Sequence, residues 1–252
     1  MNVSTYFSTI NIKIIIIYHK EITPILKEEI IMYDVIAALE GYTEEDVATE
    51  SLKTNPIVKV AQKILATLKA LGLKFVEFLK SIAGKAKDKV DNAIAVHNFN
   101  NALRALIGAI SSCRVMEGIF KSAFTGNADA ASVKDKMSKA VIKFDKEYEK
   151  FSDLAIKVTG GALVKDMSEA TQKKTASMLE KTRVAIAQMA NHAQTLLKRA
   201  GTASAKGAGE RADSVARSYL ACQSKLVRGL NVLMVKAGMN RVGNPDTMYA
   251  DA

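Results

Sequence analysis

The side chains able to do chemistry are few and scattered. The 252 residues hold three His and two Cys, with 26 carboxylates against 36 Lys and Arg, for a net charge of +10. His97 and His192 fall in different predicted helices, and neither has a His, Asp or Glu three or four positions away. That spacing is what brings two ligands onto one face of a helix, and the Glu-x-x-His pair of metal-binding bundles does not occur. His19 lies in an N-terminal stretch foreign to the rest. Cys113 and Cys222 show neither CxxC nor Cys/His ligand spacing. They read as buried, small apolar residues of a reducing compartment, with a disulfide left open. Gly160-Gly161 and Gly207/Gly209 read as turns rather than phosphate loops, because no strand is expected before them. Carboxylates alternate with lysines along helix faces, as in Lys143/Glu147, in the manner of solvated pairs. The expectation is a non-enzymatic protein with no cofactor, no metal and no small-molecule substrate.

What the chain does present is separated charge. Residues 32–50, MYDVIAALEGYTEEDVATE, carry six carboxylates (Asp34, Glu40, Glu44, Glu45, Asp46, Glu50) and no Lys or Arg. Residues 1–31 are neutral, with Lys13, Lys20 and Lys27 against Glu21, Glu28 and Glu29. Residues 51–252 therefore keep 33 of the basic and 17 of the acidic residues, net +16. A basic body of this kind, with a chain pI near 9.4, points to anionic partners: nucleic acid or an anionic membrane surface. The lysines are not interleaved with aromatics, and no helix-turn-helix, zinc-finger or RNP signature appears. Contact with DNA would be by phosphate neutralisation, blind to sequence and steeply salt-dependent.

Helices must hold those lysines. Hydrophobic content of 48%, charged content of 25%, three Pro and no Trp favour an all-α chain. Asn55-Pro56 marks a helix start, Asn as cap and Pro at the first helical position. Over residues 56–83, Val60, Ile64, Leu68, Leu71, Phe75, Phe78 and Ile82 recur at spacings of three and four. The other side carries Lys59, Lys63, Lys69, Lys74 and Lys80, opposed by Glu77 alone. This basic amphipathic helix is the candidate face for an anionic partner. A second helix is predicted over 88–124, with Val90, Ile94, Leu103, Leu106, Ile110, Cys113 and Phe120 or Phe124 as its buried stripe. A third, 131–158, repeats Met137, Val141, Phe144, Tyr148, Phe151, Ala155 and Val158 as a bundle seam. Gly160-Gly161 reverses the chain into a helix over 162–200, with Leu163, Met167, Met178, Ala185, Met189, Leu196 and Leu197 inward. Residues 201–209, GTASAKGAG, read as a flexible linker. The last helix, 210–238, buries Val215, Tyr219, Leu226, Leu230 and Leu233, ahead of a frayed tail over 239–252. The expected architecture is all-α, an elongated bundle of four or five long antiparallel helices, with 51–238 as the basic bundle. No apolar run is long enough to span a membrane.

The N-terminus has its own logic. Lys27-Glu28-Glu29-Ile30-Ile31-Met32 can be encoded by AAGGAGGA, an AT-rich spacer and ATG, which is a bacterial ribosome-binding site ahead of a start codon. The Ile/Asn/Tyr/Lys bias of the preceding residues is what AT-rich non-coding sequence gives when translated. Residues 1–31 are therefore expected to be an upstream over-extension outside the fold, with Met32 the natural start and 32–50 an acidic leader.

Within that leader, Ala38-Leu39-Glu40 and Ala48-Thr49-Glu50 both fit a pattern of small residue, any residue, Glu. Ala208-Gly209-Glu210 also fits it, so the tripeptide is weak by itself. Two copies bracketing an acidic leader resemble the maturation sites of internal head proteins of phiKZ-like jumbo bacteriophages. The resemblance covers only residues 32–51. It implies a propeptide that targets the protein into the prohead and is cut after Glu by the prohead protease. Glu40 and Glu50 would then be the residues cleaved after, with Ala38 and Ala48 in the protease's small pocket. It further implies a virion structural protein of the head interior, assembled in the host cytoplasm beside other head proteins and packaged DNA. Two rivals come from the helices themselves. One is a membrane-active, pore-forming type of bundle using the 75–82 face and its lysines. The other is a coiled-coil adaptor using the 137–158 seam.

Overall fold

The computed structural model describes residues 56–123, 129–201 and 208–242. The chain divides into two compact units, Met1–Asp46 and Val47–Ala252, and every described residue belongs to the second. Among the described residues all regular structure is helical: α1 (Pro56–Ile82), α2 (Ala93–Ser122), α3 (Ala130–Ile156), the short α4 (Ala162–Asp166), α5 (Glu169–Gly201) and α6 (Ala208–Ala237).

The organising helix is α6, which packs against all four other long helices. It buries Tyr219, Leu226, Val227, Leu230, Leu233 and Met234 together with polar Gln223, Ser224 and Asn231. Two of these enclosed polar side chains find carbonyl partners. Gln223 Nε2 donates to the Met189 carbonyl on α5 at 3.0 Å, and Asn231 Nδ2 donates to the Val242 carbonyl at 2.9 Å. Around α6, α1 lies beside α5, α5 beside α2, and α2 beside α3.

Specific contacts fix the directions. Asn98 Nδ2 reaches the Lys157 carbonyl at 3.4 Å, and the space at Gly108 faces Glu147, so α2 and α3 are antiparallel. The Phe120 and Tyr219 rings meet edge-on at 5.9 Å, and Leu106 sits over Gly229, so α2 and α6 are antiparallel as well. Lys225 pairs with Asp145, and the Lys236 ammonium donates to the Val158 carbonyl, so α3 and α6 run parallel. Adjacent helices are thus not uniformly antiparallel. A Cβ at Gly229 would stand 2.8 Å from Phe151 Cε1 and 3.0 Å from Leu106 Cδ1, which is why α2, α3 and α6 meet at a residue without a side chain.

Two sequence expectations change at one end of the bundle. The second helix starts at Ala93 instead of 88, capped by Asn92, whose side chain accepts from the Ala95 N–H. Val90 and Ile94 are therefore 89% and 73% exposed rather than buried. Residues 89–92 are taken up in ties to the next segment: the Asn92 N–H donates to the Asp166 carbonyl at 2.8 Å and Lys89 to the Val164 carbonyl. Those ties also explain why 162–200 is not one helix. Met167 is extended (φ −121°, ψ 140°), and α5 begins afresh at Glu169. Asp91 caps the new start from outside, accepting from the Ser168 N–H at 2.7 Å and the Thr171 hydroxyl at 2.6 Å.

The stripe expected over 162–200 holds at Leu163, Met167, Met189, Leu196 and Leu197, which are buried, and differs in the first half of α5. Gln172, Thr175, Leu179, Thr182, Arg183 and Ile186 are buried, while Met178 and Ala185 are half-buried. In the α3 seam Met137, Phe144, Phe151, Ala155 and Val158 are buried, with Val141 and Tyr148 at its margins.

Candidate nucleic-acid interface

Helix α1 offers the most one-sided charge. Its sequence holds five lysines and one glutamate. The apolar residues fall on one side because three- and four-residue steps stay within a single helical face. Ile57, Val60, Ile64, Leu68, Leu71, Phe75, Phe78 and Ile82 are buried, each fully buried Leu or Phe contributing about 1.5–3 kcal/mol. The lysines are left on the outer arc. Lys59, Lys74 and Lys80 are exposed, while Lys63 and Lys69 are half-buried. Lys80 in the last turn also complements the negative end of the helix. Lys74 pairs with Glu77 at 2.8 Å, both side chains more than half exposed, which is worth little.

A buried guanidinium holds this helix in place. Arg183 of α5 has no exposed surface. Its Nε and Nη2 donate to Glu180, at 2.9 and 2.6 Å, and its Nη1 donates to the Leu68 carbonyl of α1 at 3.3 Å. Gly72 makes room for it, since a Cβ there would lie 3.0 Å from Arg183 Cζ. Glycine is thus placed by close approach of a side chain, inside a helix that runs on to Ile82.

A second lysine face went unread in the sequence. On α3, Lys136, Lys139, Lys143, Lys146 and Lys150 are exposed and recur at steps of three and four, the period that builds the buried seam behind them. The helix is nearly neutral, however, with six lysines against five acids. Lys139 pairs with Asp135 at 2.8 Å and Lys150 with Glu147 at 2.9 Å. The expected Lys143/Glu147 pair is replaced by the latter: Glu147 turns towards Lys150, one turn on.

Elsewhere, titratable groups are held in ordinary forms. Burial pushes the Cys222 thiol and the Tyr148 hydroxyl up to about 12, and raises Cys113 and Tyr219 strongly. These groups are kept protonated, the reverse of an activated nucleophile. Asp91 is lowered, by the Thr171 hydroxyl and the Ser168 N–H that it accepts from. His192, 62% exposed, pairs through Nδ1 with Glu117 of α2 at 3.0 Å, a contact that sequence spacing could not show. His97 shares a hydrogen bond with Asn101. Among the described residues no group of three or more His, Cys, Asp or Glu could hold a metal ion, and no helix is long and apolar enough to cross a membrane.

The structure thus places all five predicted lysines on one helix and on its outer side. The candidate processing residues Ala38, Glu40, Ala48 and Glu50 lie outside the described residues, as do the linker residues 202–207 and the tail from 243. In comparisons with protein-family models, curated proteins and solved structures, nothing matches this chain.

Proposed function

We propose that this chain is a non-enzymatic structural protein of a bacteriophage head interior. On this reading residues 32–50 are an acidic propeptide cleaved after Glu40 or Glu50 by a prohead protease. What remains is an elongated bundle of long helices, consecutive members reversing direction, that associates with packaged DNA or inner head proteins. The observation that carries the reading is the charge division: six carboxylates and no basic residue over 32–50, against net +16 over 51–252. Before cleavage the leader offsets part of the body's charge and offers a basic scaffold partner something to bind. Removing it leaves a basic surface suited to phosphates. Helix α1 is the strongest part of that surface, because its lysines face outward with one carboxylate among them.

The rival membrane-active reading uses the same helix, but the face it would insert is packed into the core: Phe75 is 1% and Phe78 9% exposed. The first test is intact-mass spectrometry with N-terminal peptide mapping of the protein from its native source. A terminus at Gly41 or Ser51 is the expected result. An N-terminus at Met32 with the acidic stretch intact would remove the propeptide, and with it the virion reading.

A further inference from the structure

One end of the bundle, where α1, α3 and α6 stop and α2 and α5 start, is assembled from three separate segments. Residues 83–92 follow α1, 157–168 join α3 to α5, and 236–242 run out of α6. The Gly161 N–H donates to the Lys236 carbonyl and the Asn92 N–H to the Asp166 carbonyl, both at 2.8 Å. The Lys236 ammonium donates to the Val158 carbonyl at 2.9 Å, and Lys89 to the Val164 carbonyl. Together the three segments hold seven Lys and Arg against three Asp. Lys89 and Lys236 are spent on those carbonyls. Asp91 is held by Ser168 and Thr171, and Asp166 lies 3.5 Å from the Asn92 side-chain amide. The side chains of Lys85, Lys87, Lys157, Lys165 and Arg241 are exposed and make no hydrogen bond or ion pair among the described residues. Asp88 is the one carboxylate of these segments left to oppose them.

Aliphatic side chains stand at the same end. Val90, Ile156 and Ile94 are 89%, 78% and 73% exposed, the three most exposed large apolar residues among those described. Val90 precedes Asp91, the residue that caps α5. Ile94 is one turn from Asn98, whose side-chain amide reaches the carbonyl of Lys157, the residue after Ile156. DNA phosphates are met by cations alone and give Val and Ile nothing to bury against. An anionic bilayer takes both, because headgroups attract the lysines and the acyl boundary accepts aliphatic side chains. We infer that this end of the bundle is a peripheral docking surface for an anionic lipid bilayer. Val90, Ile94 and Ile156 enter the headgroup boundary, and the five unpaired cations face its charge. The three aliphatic side chains need not touch one another, since a bilayer surface is broader than the end of a bundle. No helix inserts, so the core stays closed. The surface stands apart from the α1 lysines and does not rest on the virion reading.

The test sediments the full-length chain with vesicles of phosphatidylcholine alone, or of phosphatidylcholine with about 30% phosphatidylglycerol, in about 0.1 M NaCl. Binding to the anionic vesicles and not to the neutral ones is the expected result. Val90→Ser, Ile94→Ser and Ile156→Ser together should weaken it about tenfold. Retention of duplex DNA and the urea midpoint should stay unchanged in that variant, because all three side chains already lie in solvent. Val90→Ser alone, at the most exposed position, replaces the triple variant if the triple lowers the midpoint. Lys85→Gln, Lys87→Gln and Lys165→Gln together should weaken vesicle binding by at least about tenfold, and Lys59→Gln, Lys74→Gln and Lys80→Gln by less than about threefold. Equal binding to neutral vesicles, full binding by the aliphatic variant, or a greater loss on neutralising α1 would each overturn the surface. So would DNA held through Lys85, Lys87 and Lys165 with no vesicle bound, which would make this end a phosphate surface.

Discussion

Helices α1 and α3 both display a row of lysines, yet they are different objects. Helix α1 has eleven buried residues and α3 five, although each is 27 residues long. The outer face of α1 carries Glu77 as its only acid, whereas α3 alternates six lysines with five acids and ties two of them into ion pairs. One helix is anchored deeply and charged strongly on its free side; the other rests on a narrow seam with its charges largely cancelled. Lysine density therefore does not identify a surface for phosphates. Local net charge on a rigidly held face does.

The largest effect that would break this contrast concerns anchoring. Arg183→Ala removes the guanidinium between α5 and α1, leaving Glu180 without its partner and a cavity against Gly72. It should cost about 3–5 kcal/mol in urea unfolding; a cost below about 1 kcal/mol would show that apolar contact alone holds α1. Next is the junction beneath α3. Gly229→Ala places a methyl within 3.0 Å of Phe151 and Leu106 and should cost about 1–3 kcal/mol, read as a lower urea midpoint at unchanged slope.

Asp91→Ala should cost about 1 kcal/mol at neutral pH through loss of the α5 cap, the exposed carboxylate being partly screened. Its pH dependence has a definite sign. The Asp91 pKa is depressed in the folded state, so its contribution is complete above the ordinary carboxylate value of about 3.9. It disappears as pH falls through the lowered folded value, and the two chains should then converge in stability. The smallest effect per residue concerns charge. If DNA is the partner, neutralising Lys59, Lys74 and Lys80 together should reduce the salt slope of DNA retention by about 2–3. Neutralising Lys136, Lys143 and Lys146 should reduce it by less than about 1.

The all-helical class was legible because apolar residues recur at three and four throughout residues 56–238, and Asn55-Pro56 and Gly160-Gly161 punctuate that recurrence where helices begin and turn. The lysine face of α1 was legible for the same reason. Misreadings cluster where tertiary partners compete with local pattern. Val90 and Ile94 look like core by spacing, but Asp91 and Asn92 are committed to Ser168, Thr171 and Asp166. The second half of the α5 seam (Met189, Leu196, Leu197) is buried as its spacing predicts; the first half departs from it because Gln172, Thr175 and Thr182 are buried through hydrogen bonds to carbonyls or close packing, which a search for apolar residues overlooks. Arg183 was invisible for a sharper reason: a buried guanidinium needs a carboxylate one turn away and a glycine on another helix, and only the fold brings the two together.

Asp91 has a kinetic consequence as well. It caps a helix whose first turn lies 77 residues further along the chain. The Ser168 amide just ahead of α5 therefore takes its side-chain partner from the segment that leads into α2. Most helix ends fray independently, but this one is coupled to assembly. Hydrogen exchange at Ser168 should report the opening of the whole α2–α5 junction, making that amide a reporter on cooperative unfolding.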